Sequence, residues 1–134
     1  MSEMTDAEFV RAFQQGILPH TSFHHRDHLR LAWYLIRERG ADVAGPLIAD
    51  AIHNFTAQHG HPQKYHETLT RFWVWAVAHH SAARPDIGDF GVFLAAFPPL
   101  LDTHLPERHW SRTALFGPDA RARWVAPDLL ALPA

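Results

Sequence analysis

The sequence predicts an all-α, single-domain bundle of about five helices over residues 1–134, finished by short C-terminal helices and turns. Three observations predict it. Apolar residues recur at helical spacing, strand-like alternation is absent, and glycines and prolines fall where one periodic run gives way to the next. A chain of 134 residues with 47% hydrophobic and 19% charged residues is long and apolar enough to bury one core.

The first helix is predicted from about residue 6 to about residue 15, because Thr5 and Glu8 make a capping-box pattern and Phe9, Val10, Phe13, Ile17 and Leu18 follow at helical spacing. Ser22 is the expected N-cap of a second helix that ends at Arg39, with Gly40 as its stop. The third is expected from about residue 42 to about residue 59, with Val43, Leu47, Ile48, Ala51, Ile52 and Phe55 on one face, Pro46 in its first turn and Gly60 closing it. The fourth is expected from about residue 63 to about residue 82 and is rich in aromatics: Tyr65, Phe72, Trp73 and Trp75. Asp86 is the expected cap of the fifth, DFGVFLAAF, which Pro98 and Pro99 interrupt. The remainder is read as short helices and turns wrapped over the bundle.

Composition excludes whole classes of chemistry. There is no cysteine, so disulfides, thiolate metal sites and cysteine nucleophiles are impossible, and a metal would have nitrogen and oxygen ligands only. The formal charge is −2 with scattered basic residues, which predicts no nucleic-acid binding. No run approaches a membrane span, and the acidic stretch MSEMTDAEF lacks the apolar core of a secretory leader, so a cytoplasmic protein is expected. Lys64 is the only lysine among twelve basic residues, which is read as drift in an Ala- and Arg-rich chain rather than as a functional mark. Nucleophile elbows and glycine-rich phosphate loops are absent.

Histidine is the residue that remains. FHHRDHLRLAW (23–33) carries three at the front of the second helix, and KYHET (64–68) carries another at the front of the fourth. At about 100° per residue, His25 and His28 fall on the arc of Ala32, Leu35 and Ile36, whereas His24 falls at its edge. Inward-facing rings need polar partners, since an unpaired buried polar group costs about 1–3 kcal/mol. On the fourth helix His66 reaches the interior beside Trp73 and Val77. Glu67 points away, toward Arg71 one turn on, and would swing inward if the helix began after Tyr65. His53, His104 and His109 are read as surface or satellite positions, and His79 and His80 as residues of a helix end.

These positions support a metal reading. His25, His28 and His66 would be neutral imidazole ligands of one divalent transition metal (zinc, iron, nickel or copper) with an open position. Glu67 would be a fourth ligand or general base, and Tyr65 a donor to developing negative charge. Buried histidines that merely bond carbonyls, hydroxyls or carboxylates of the core are the plainer alternative, and the zinc-protease pattern HExxH is absent.

FHHRDHLRLAW, KYHETLT and SRTALFGPDARARWVAPD together resemble a family of small, all-helical bacterial proteins sharing F-x-H-x-x-H-L-R-x-A-W and K-Y-H-E-T. The resemblance covers the chain from about residue 20 onward. It implies that His25, His28, Tyr65, His66, Glu67 and Thr68 are the positions of interest and that His24 is not among them, and it implies no reaction.

Three functions follow as expectations. The first is a small metal-dependent enzyme that hydrolyses, eliminates from or isomerises a small organic molecule, with Trp33 and Trp73 walling an apolar pocket. The second is a non-catalytic module that holds a small ligand, a haem-like cofactor or a metal. The third is a structural or interaction protein with an internal histidine hydrogen-bond network. A homodimer is compatible with all three.

Overall fold

The computed structural model describes residues 4–19 and 24–133, and among these every regular element is helical. Three long helices make the frame: α2 (His25–Arg39), α3 (Ala41–Gln58) and α4 (Glu67–Ala83). Each packs on the other two, and α1 (Asp6–Gln14) lies against α2 and α3. Five shorter pieces follow from residue 90 onward among the described residues: α5 (Phe90–Ala96), α6 (Arg112–Leu115) and α7 (Pro118–Ala122), with 3₁₀ turns at Pro98–Leu101 and Leu105–Arg108. No helix among the described residues is long and apolar enough to cross a membrane.

Local chemistry explains most boundaries. The capping box at α1 forms in both directions, Glu8 N–H to Thr5 and Thr5 N–H to Glu8. Gly40 ends α2 at φ 80°, a left-handed conformation that favours glycine, and Gly60 follows α3 at φ 76°. The expected Ser22 cap lies outside the described residues. Where α2 starts, His24 stands at the N-cap position, and its N–H donates to the Asp27 carboxylate at 2.9 Å.

Several expectations are corrected. Pro46 is not in the first turn: α3 begins directly after Gly40, which places the proline in the second turn, where it cannot donate to the Asp42 carbonyl. Both residues are exposed. Val43 is 52% exposed and Ala44 takes its place in the core, while Ile17, beyond the end of α1, is 69% exposed. The cap of α5 is Asp89, which accepts from Val92 N–H at 2.9 Å; Asp86 instead pairs with Arg84. The C-terminal segment is more than a wrapping. Leu100, Trp110 and Leu115 belong to the central core, and Trp110 donates from its indole to the Val125 carbonyl at 2.8 Å.

Candidate functional site

The KYHET segment is built differently from the predicted helix start. Pro62–Lys64 forms one 3₁₀ turn, Tyr65 and His66 are extended, and α4 begins only at Glu67. His66 is therefore the N-cap of α4. Its Nδ1 accepts from the Leu69 N–H at 3.1 Å, so the ring proton sits on Nε2, which donates to the Leu115 carbonyl at 2.7 Å. Both ring nitrogens are engaged, one holding a helix end and the other a distant loop. Burial depresses the His66 pKa; the Leu115 carbonyl opposes that, and the nearby Arg121 charge reinforces it.

His25 and His28 both lie inward of His24, which is exposed, but they diverge. The His25 ring packs edge-on against Trp73, 4.4 Å between centroids, and donates from Nε2 to the Leu100 carbonyl at 2.8 Å. Burial lowers its pKa, with the Leu100 carbonyl and Asp102 pulling the other way. His28 faces a cavity between the three long helices. It keeps some accessible surface there, and burial together with repulsion from His25 pushes its pKa down to about 3. It is a neutral imidazole at pH 7.

Tyr65 and Glu67 are brought together. The phenol donates to Glu67 Oε1 at 2.5 Å while Arg71 Nε donates to Oε2 at 2.6 Å, so the surface pairing with Arg71 that helical spacing predicts is present. Burial and the adjoining carboxylate push the Tyr65 pKa above its ordinary value, and the hydroxyl stays a phenol. Tyr65 also stands between two concavities. The inner one holds His28; the outer one, between α3 and α4, holds Glu67, Arg71 and Trp75.

The inner cavity has a volume of about 350 Å³. Ile48, Ile52 and Phe55 of α3 and Leu69 and Trp73 of α4 make apolar walls, and His61, Lys64 and Tyr65 lie at its other side with the 3₁₀ turn. Trp33, expected in such a wall, is instead packed between Phe90 and Phe93 in the core, and its buried indole N–H has no hydrogen-bond partner among the described residues.

Among the described residues no group of three or more His, Asp or Glu side chains is placed to hold a metal ion. His28 and His66 line the same cavity, whereas His25 is turned to Leu100. His53 and His104 are exposed as expected. His109 is not: it is buried and donates from Nδ1 to the Leu130 carbonyl at 2.8 Å.

Sequence reasoning missed the role of Thr68, which is fully buried, donates to the Arg123 carbonyl at 2.8 Å and accepts from the Val125 N–H at 3.1 Å. The signal was the break HGHP (59–62), which separates α3 from a segment too short to be helical before His66. No family model, curated protein or solved structure matches the chain. The functional reading rests on the geometry of the cavity and its histidines.

Proposed function

We propose that this chain is a small-molecule-binding protein whose ligand occupies the cavity between α2, α3 and α4. The observation that carries this reading is the cavity: about 350 Å³, with largely aliphatic and aromatic walls and polar side chains contributed by the three helices and the 3₁₀ turn. That volume is at the lower end of the range typical of ligand pockets, and such lining is what binding sites for small organic molecules present.

The hydrogen bonding argues for binding over catalysis. A general acid or base needs a ring nitrogen or carboxylate that is available to substrate. His66 has both nitrogens engaged, the Tyr65 hydroxyl donates its hydrogen bond to Glu67, and Glu67 is held by Arg71. A metal shared by His25, His28 and His66 would require His66 to release either Leu69 or Leu115, and His25 to turn away from Leu100 or to ligate through its other nitrogen. The change at His66 gives up a hydrogen bond whichever nitrogen is released, as does turning His25 away from Leu100.

The test is ligand-observed NMR with two neutral probes, indole and benzyl alcohol, on the wild-type chain and on Val74→Phe and Ile52→Phe, which fill the cavity from α4 and α3. Binding that is weakened in both variants supports the reading. Absence of binding, or binding indifferent to both variants, overturns it. Uptake of one zinc, iron, nickel or copper ion per chain, lost in His25→Ala, His28→Ala and His66→Ala but kept in His24→Ala, would overturn it in favour of the metal-dependent enzyme.

A further inference from the structure

We propose that the ligand is an apolar carboxylate, a small aromatic or branched aliphatic acid whose body fills the cavity and whose anionic head meets Lys64 at the rim. This inference rests on the cavity being a ligand site. It adds a charge and an orientation.

The charge follows from what lines the cavity. The chain carries 14 acidic residues against 12 basic ones, yet none of the described residues around this cavity is an Asp or Glu. A cation is supplied there by Lys64, the only lysine in the sequence. The nearest functional carboxylate, Glu67, lies beyond Tyr65 in the outer groove and is already engaged by Arg71. A second cation supports the same turn: Arg121 donates from Nη1 to the Gln63 carbonyl at 3.0 Å, one residue before Lys64. An ammonium ligand would find no counter-charge here, and an unpaired charge in an apolar site is costly.

The orientation follows from where those groups sit. Lys64 is exposed, on the 3₁₀ turn at the cavity's edge, with His61 on the same loop. The other walls are largely apolar, Ile52, Phe55 and Trp73 among them, with His28, Thr56, His59 and Thr70 interspersed and no carboxylate. An amphiphile with one anionic end satisfies both ends at once. Lys64 therefore acts as a specificity residue.

The experiment is titration of the wild-type chain, Lys64→Gln and Lys64→Arg with phenylacetate, phenylacetamide and phenethylamine at pH 7.5 and low salt, read by calorimetry or Trp fluorescence. Lys64 is exposed, so neither variant threatens the fold. Phenylacetate should bind about fivefold tighter than its amide in the wild-type chain, the effect expected of one rim ion pair, and the amine should bind weakest. The preference should disappear in Lys64→Gln, persist in Lys64→Arg and shrink with added salt. If the amide or amine binds as well as the acid, or if the preference survives in Lys64→Gln, the carboxylate inference falls while the cavity remains a binding site. If none of the three binds and the neutral probes fail as well, the binding function itself falls.

Discussion

His66 and Leu115 are joined across 49 positions of sequence by one hydrogen bond, from imidazole Nε2 to a main-chain carbonyl at 2.7 Å. The same pattern recurs: His25 donates to the Leu100 carbonyl and His109 to the Leu130 carbonyl. Three imidazoles thus hold three points along the irregular C-terminal segment, where few helical hydrogen bonds are available to order the chain. Thr68 and Trp110 add further ties at Arg123 and Val125. In this protein His25, His66 and His109 are fasteners.

His66→Asn and His66→Ala should therefore separate two roles. Asparagine is a good N-cap and can still accept from Leu69, but it is too short to reach Leu115. Loss of a cap costs about 1 kcal/mol, and loss of a buried bond that strands its partner costs about 1–3 kcal/mol. Urea denaturation should rank the wild-type chain above Asn and Asn above Ala, with faster amide exchange around residues 112–116 in both variants. Equal stability of all three would mean that neither bond matters.

Stability should fall as the medium is acidified below pH 6.5. The folded-state pKa values of His25, His28 and His66 all lie below the ordinary value of 6.5, that of His28 at about 3. Below 6.5 the unfolded chain takes up protons that the folded chain refuses, so unfolding is favoured as pH drops. For His28 the loss continues down to about pH 3, below which both states are protonated and no more is lost. Each such histidine contributes a slope of up to about 1.4 kcal/mol per pH unit. Urea midpoints measured from pH 6.5 to 4.5 should fall more gently in His28→Gln than in the wild-type chain, and identical slopes would refute the assignment.

Pro46 is a site of avoidable instability. Its ring removes one backbone hydrogen bond inside α3, and an interior helix proline costs about 3 kcal/mol relative to alanine in an unconstrained helix. Pro46 is exposed, so substitution disturbs no packing in the core. Pro46→Ala should be more stable by about 1–3 kcal/mol, seen as a higher urea midpoint with unchanged m-value. A less stable variant would mean that the proline is needed to shape the adjoining outer groove.

The bundle was legible because helical periodicity, the Thr5–Glu8 box and the glycines at 40 and 60 are local signals that act within one turn. Boundaries failed where two local signals competed. Asp86 and Asp89 are both good caps, but Arg84 engages the first. Pro62 suggests a helix start, yet the helix waits until Glu67 because His66 supplies a cap. The inward placement of His28 was legible from the wheel. Where the His25 and His66 rings would spend their nitrogens was not, since Leu100 and Leu115 are non-local carbonyls carrying no side-chain signature. The burial of Trp110 and His109 escaped for the same reason: the segment around them has no period to read, only tertiary contacts.

Tyr65 should reveal itself at alkaline pH. Its hydroxyl already donates to the Glu67 carboxylate, so ionisation would break that bond and set two negative charges side by side in a partly buried place. The folded-state pKa is accordingly above the ordinary 10, and stability should be lost as pH rises past 10, where the unfolded chain gives up a proton that the folded chain retains. Because the chain has only two tyrosines, Tyr34→Phe leaves Tyr65 as the sole phenol, and phenolate absorbance should then develop above pH 10, together with unfolding. Tyr65→Phe should be less stable at pH 7 by about 1–2 kcal/mol, the worth of a hydrogen bond to a charged acceptor that water partly replaces, and should lose less stability on going from pH 7 to pH 11. Phenolate appearing at or below pH 10 in the folded Tyr34→Phe chain would show that the bond to Glu67 does not hold the proton.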